Sequence, residues 1–220
     1  MTIGYHIDAL RKTVPAGVTL VAVSKFHPTE MVREAYDAGL RIFGESRVQE
    51  LVAKKDQLPG DIEWHFIGSL QRNKVKQIAP FISLIHSLDN ESLMIEIEKQ
   101  GVINHRVIPC LLQIHIAREE AKAGFLPDEC RQFLKDGKWK ACPHVQIAGV
   151  MGMATFTDDE QQVRSEFHQL KSLFDEFKTS FFSDDAGFKE ISMGMTGDYL
   201  LAIEEGSSMI RVGTLIFGDR

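Results

Sequence analysis

Lys25 is the residue whose type and place could do covalent chemistry. It follows an apolar stretch, residues 18–24, and stands in phase with Thr19, Val21 and Val23 under the two-residue repeat of a strand. A lysine at such a strand end is partly desolvated, which lowers its pKa and favours the neutral amine that attacks an aldehyde. Taken alone, the position reads more simply as a surface lysine beginning a loop, because lysines are mostly exposed.

Two segments near the other end of the chain change that balance. Ser192-Met193-Gly194-Met195-Thr196-Gly197-Asp198 follows a short predicted strand and opens a predicted helix. Arg211-Val212-Gly213-Thr214 closes the last predicted strand. Glycines, hydroxyls and amides at a helix start suit an anion such as a phosphate, and Gly213 lets backbone approach it closely. Either segment alone is an ordinary turn, with Ser192 as a cap. Together, opposite a lysine on the first strand, they suggest an aldehyde that carries a phosphate. Arg211, if it points inward, can only donate to a ring nitrogen. That nitrogen then stays unprotonated, and the ring is a weak electron sink. The rival for Arg211 is a salt bridge to Glu204 or Glu205.

The elements that must position these residues alternate. Strands are predicted at 18–24, 41–43, 63–67, 82–86, 107–116, 145–150, 189–192 and 209–212. Helices are predicted at 28–38, 46–55, 73–79, 90–100, 127–135, 158–178 and 199–205. An extra helix occupies the first dozen residues, and the last strand has no clear helix after it. Such alternation argues for a parallel sheet, and eight units favour a closed (β/α)8 barrel of TIM type. An open doubly wound sheet is the alternative, but its GxGxxG turn is absent after the first strand. In a barrel the first and eighth strands are neighbours, and phosphate commonly binds after strands seven and eight. The chain reads as one domain over residues 1–220.

Composition narrows the classes. The 220 residues are 44% hydrophobic and 25% charged, with a formal net charge of −6, which argues against a nucleic-acid binder. No apolar run is long enough for a membrane span. The N-terminus lacks a signal-peptide pattern, and three cysteines without a CxxC pair read as free thiols. A cytoplasmic protein is expected. No residues show metal-ligand spacing, so no metal is expected.

Val21-Ala22-Val23-Ser24-Lys25, Phe43-Gly44-Glu45, Trp64-His65-Phe66-Ile67-Gly68, Gln71-Arg72-Asn73-Lys74, Ser192-Met193-Gly194-Met195 and Arg211-Val212-Gly213-Thr214-Leu215-Ile216-Phe217-Gly218 resemble the pyridoxal 5'-phosphate (PLP) homeostasis proteins over nearly the whole chain. The resemblance implies a barrel like the N-terminal domain of alanine racemase and PLP as cofactor. It implies a Schiff base on Lys25, Arg211 beside the pyridine nitrogen, and Ser192, Gly213 and Thr214 near the phosphate. Gly194 and Thr196 join them as cofactor-binding candidates from their segment. It also implies buffering or delivery of PLP without robust catalytic turnover. Exchange partners would be amino acids and apo PLP-dependent enzymes, and the protein is expected to be a monomer. Ser46-Arg47 stands where the family commonly has Asn-Tyr. Ala121-Lys122-Ala123-Gly124-Phe125 lacks a usual hydroxyl, and residues 151–156 also depart from the usual pattern.

The alternative function is a PLP enzyme such as an amino-acid racemase. Racemisation needs a second base, which alanine racemases take from a tyrosine of a further domain. Tyr5, Tyr36 and Tyr199 lie at no predicted strand end, and no such domain is expected beside the barrel. A barrel enzyme of phosphosugars without PLP would use the same phosphate loops. His65 and His86 read as hydrogen-bonded barrel histidines. His27, beside Lys25, reads as a modulator of the site or a loop residue. Met151, Met153, Met193 and Met195 read as core filling or as packing around the barrel mouth, and Lys74 and Lys76 as a solvated helix face.

Overall fold

The computed structural model describes residues 2–118 and 123–219. Strands β1 (Thr19–Val23), β2 (Ile42–Glu45), β3 (Glu63–Phe66), β4 (Leu84–Leu88), β5 (Ile108–Gln113), β6 (Val145–Met151), β7 (Glu190–Ser192) and β8 (Met209–Val212) close into one barrel in sequence order. Every neighbouring pair is parallel, including β1 with β8, where Val21 faces Arg211 and Ala22 faces Val212. The expected (β/α)8 architecture is therefore observed.

Helix α1 (Ile3–Arg11) precedes the barrel, with Thr2 as its N-cap accepting from the Tyr5 amide. Outside the strands run α2 (Thr29–Asp37), α3 (Val48–Lys55), α4 (Val75–Ile78), α5 (Glu91–Asn104), α6 (Pro127–Asp136), α7 (Glu160–Ser180), α8 (Tyr199–Glu204) and α9 (Thr214–Phe217). Asn90 caps α5 and Asp159 caps α7, each through its side-chain oxygen. The long α7 places Val163, Phe167, Leu170, Leu173 and Phe177 on one buried stripe. Each such side chain stabilises the fold by about 1.5–3 kcal/mol through burial.

Several boundaries differ from expectation. The fourth strand begins at Leu84, because the Ile82 amide bonds the Ile78 carbonyl and so finishes the preceding helix. That helix is itself a short 3-10 turn, Arg72–Lys74, running into α4. The fifth strand ends at Gln113 after a register shift between Cys110 and Leu111. The eighth strand is followed by a helix after all, the one-turn α9.

Two apolar layers result. The larger packs helices against the outside of the barrel, and a smaller one of Val21, Leu84, Leu111, Ala148, Met151 and Met209 plugs the interior. Along β8, Met209 belongs to this plug, and Arg211 and Gly213 line the cavity above it, two residues apart at each step. Along β1 the same parity runs from Val21 in the plug to Val23 and Lys25 above it. The C-terminal strand ends thus turn one set of side chains toward one mouth. Cys110, Cys130 and Cys142 are free and buried. Among the described residues no helix is long and apolar enough to cross a membrane.

Candidate functional site

A cavity of about 420 Å³ opens at the C-terminal mouth, within the usual size of small-molecule sites. Val23, Lys25 and His27 form one wall, Ile67 another, and residues 153–158 and 195–198 overhang it. Arg211, Gly213 and Thr214 complete the lining from β8 and the start of α9.

Lys25 sits in a tight turn closed by the His27 amide bonding the Ser24 carbonyl at 3.1 Å. Phe26 in that turn has φ 67°, in the left-handed region costly for a bulky side chain. Its amide donates to Glu50 Oε1 at 2.6 Å, and the Arg47 guanidinium lies 4.6 Å over its ring. Arg47 thus clasps this turn by a cation–π contact. His27 is buried and stacked on Phe217 with ring centroids 4.9 Å apart.

Beneath the turn lies a buried ionic cluster. Lys54 Nζ donates at 2.7 Å to Glu45 Oε1, to Glu50 Oε1 and to the Ser24 carbonyl. The Ser24 hydroxyl donates to Glu45 Oε1 at 2.6 Å. Burial pushes the Glu45 carboxyl above its ordinary pKa, against the pull of Lys54 and Ser24. These bonds tie the ends of β1 and β2 to α3 and so fix the backbone that carries Lys25.

Arg211 is 4% exposed and points into the barrel. Its Nη1 donates to Ser192 Oγ at 2.6 Å and its Nη2 to the Gly152 carbonyl at 3.1 Å. Glu204 and Glu205 pair instead with Arg164. Burial lowers the Arg211 pKa to about 10, partly countered by the charge of Asp198. Burial also raises the Asp198 pKa. Its Oδ1 accepts from the Met195 amide at 2.5 Å.

The structure brings together Lys25, Thr196, Arg211, Gly213 and Thr214 around the cavity, and leaves Ser192 and Gly194 outside its lining. Ser192 is buried below Arg211, as its acceptor. Gly194 has φ +94°, and a Cβ there would come within 2.6 Å of Ala202 Cβ, so both backbone and packing require glycine. Gly197 differs: its φ is ordinary, and a Cβ would meet nothing within 4 Å. A Cβ at Gly213 would approach the Val23 carbonyl to 3.0 Å. Both glycines line the cavity, Gly197 with open space at its Cβ position and Gly213 packed close against β1. Met153 and Met195 line it, whereas Met151 and Met193 are core. Of the tyrosines, Tyr5 is exposed, Tyr36 bonds Asp61 and Tyr199 bonds Thr13; none lines the cavity.

Sequence reasoning missed Thr155, Thr157 and Asp158, which lie after β6 and line the cavity. The signal was available: a hydroxyl-rich run just past a strand's C-terminal end. Residues 121 and 122 of the departing segment lie outside the described residues.

The family model "Alanine racemase, N-terminal domain" matches residues 2–220. The pyridoxal phosphate homeostasis protein of Aquifex aeolicus is 38% identical over 202 residues, covering 91% of this chain and 86% of that protein. PipY of Synechococcus elongatus superposes with a TM-score of 0.92 without PLP and 0.89 with PLP bound. Its identity is 35% and 34% in the two structures, each covering 99% of this chain and 100% of the other. An alanine racemase of Clostridium difficile, at 12% identity and a TM-score of 0.75, covers 100% of this chain but 56% of its own, and shares the fold. The chain thus belongs to the alanine racemase N-terminal domain family and, within it, to the pyridoxal phosphate homeostasis proteins.

Proposed function

We propose that this protein binds PLP in the barrel-mouth cavity, holds it as a Schiff base on Lys25, and takes part in PLP homeostasis or delivery. The observation that carries the reading is the shared cavity of Lys25 and of Arg211, Gly213 and Thr214, which sit on the paired strands β1 and β8 and in the turns that follow them.

The lining fits the group. PLP supplies an aldehyde that condenses with an amine. Lys25 is half-buried and lines the cavity wall. Gly197 leaves open space where a side chain would stand, and the first amides of α9 have no acceptor within that helix. Thr196 and Thr214 add hydroxyls there. Arg211 offers donors to a ring nitrogen, with its orientation held by Ser192 and Gly152. Ser192 and Gly194 act from behind, one orienting Arg211 and the other shaping the turn.

An arginine cannot lend its proton to the ring nitrogen, which argues for weak carbanion chemistry. No tyrosine lines the cavity to act as the second base of a racemase. We read the chain as one domain over residues 1–220, a cytoplasmic monomer that exchanges PLP with apo enzymes and amino acids.

The test is absorbance after incubation with PLP and desalting. A band near about 420 nm, the mark of a lysine imine, is expected in the wild type and lost in Lys25→Ala. A band retained in that variant would place the cofactor on another amine. Steady racemisation of alanine, read by D/L product analysis, would overturn the homeostasis reading in favour of an enzyme.

A further inference from the structure

Four polar side chains meet in a row inside the barrel, from β3, β4, β7 and β8. His65 is 4% exposed, His86 0%, Ser192 0% and Arg211 4%. His65 Nδ1 lies 3.1 Å from His86 Nε2, His86 Nδ1 lies 3.0 Å from Ser192 Oγ, and Ser192 Oγ accepts from Arg211. We propose that this is a one-way hydrogen-bond chain, with both imidazoles neutral and protonated on Nε2, and that His86 and His65 are positioning residues that hold Arg211 toward the cavity through Ser192.

The direction follows from donor and acceptor counts. A guanidinium has no acceptor, so Arg211 must donate to Ser192. The hydroxyl then has one proton to place. Its other partner among the described residues is His86 Nδ1, which must therefore be the bare nitrogen. The His86 proton sits on Nε2 and goes to His65 Nδ1, which leaves the His65 proton on Nε2. Running the chain the other way would strand the Ser192 proton in a buried site, which is costly. His65 also lines a separate cavity of about 530 Å³ at the opposite mouth, with Glu63, Lys189 and Glu190 on its walls.

Neutrality follows from burial and from charge. A proton added to either ring would make an imidazolium facing the Arg211 cation through the chain. Burial alone lowers the His65 pKa to about 3 and, with Arg211 and His65, holds His86 well below its ordinary value. Asp198 acts on Arg211 from the cavity side, and Glu63 and Glu190 with Lys189 surround the far cavity. The positioning role rests on the proposed PLP site; the direction of the chain does not.

The two parts are tested separately. In PLP-free protein with 15N-labelled histidine, long-range 1H–15N spectra should show two of the eight histidines with bare Nδ1 and protonated Nε2 at both pH 8 and pH 5.5. Those signals should vanish one at a time in His65→Gln and His86→Gln. An Nδ1–H pattern on His86, or titration of either ring above pH 5.5, overturns the chain. In Ser192→Ala, which removes little volume, the His86 Nδ1 resonance should move as its hydrogen bond is lost; an unmoved resonance also overturns the chain. For positioning, the PLP dissociation constant should rise about tenfold in His86→Leu and be partly restored in His86→Gln. Wild-type affinity in His86→Leu overturns the positioning role. Absence of the PLP band in the wild type would instead sink the proposed function and leave the spectra to decide the chain.

Discussion

Two buried cations flank the lysine turn, and they are treated in opposite ways. Lys54, between β2 and α3, is met by two carboxylates and a carbonyl within 2.7 Å. Arg211, inside the barrel, is met by a hydroxyl and a carbonyl, and among the described residues no carboxylate lies within ion-pair distance of it. The first charge is settled within the fold and belongs to the scaffold. The second is kept as a donor aimed at a cavity, at the cost of leaving a guanidinium buried among neutral acceptors. That asymmetry separates what holds the site from what serves it.

Removing the two cations in turn should give unequal losses. Lys54→Met strands Glu45 beside Glu50 and should cost about 3–5 kcal/mol of stability, read by urea unfolding. Arg211→Met strands no carboxylate. It should cost at most about 1 kcal/mol in PLP-free protein, because relief of a desolvated charge offsets the bond lost by Gly152. It should nonetheless weaken PLP binding by about tenfold or more. Equal stability losses in the two variants would show that Arg211 is scaffold as well.

Acid sharpens the contrast between those two costs. His65 has a folded pKa near 3 against an ordinary 6.5. The unfolded ring takes up a proton below about 6.5 while the folded ring stays neutral, so stability is intact above that pH and falls as pH drops toward 3. At pH 5 the His65 share is about 2 kcal/mol. Unfolding at pH 7 and pH 5 should show that share in the wild type and its loss in His65→Gln. An unchanged difference would mean that the buried ring already carries a proton.

The smallest stability effect is expected at Gly197. With open space around its Cβ position, Gly197→Ala should shift PLP-free stability by no more than about 0.5 kcal/mol and yet weaken PLP binding. Gly194→Ala, with its positive φ and Ala202 contact, should destabilise the protein by about 1–2 kcal/mol or more. If the two glycines behave alike, Gly197 does not face a ligand.

The same contrast explains what could be read from the chain. Lys25, Gly213 and Thr214 were legible because strand parity and the count of βα units place them at one mouth without any knowledge of packing. Arg211 was legible as a choice between the barrel and Glu204 or Glu205, which only the position of Arg164 decides. Ser192 and Gly194 were legible as special from their motif, but their places behind the cavity lining, one bonded to Arg211 and the other packed on Ala202, depend on how β7 and β8 pair. The Lys54 cluster and the His65–His86 contact were not legible as units: the partners of Lys54 lie 4, 9 and 30 residues away, those of the two more distant contacts and of the histidine pair being brought together only when strands pair. The fourth strand was misplaced because Ile82, apolar and β-branched, is used to close a helix.

The most direct test of the site is reductive trapping. PLP-loaded protein treated with borohydride and mapped by peptide mass spectrometry should carry one pyridoxyl group, on Lys25. A label on Lys54, Lys74 or any other lysine in place of Lys25 would contradict the account.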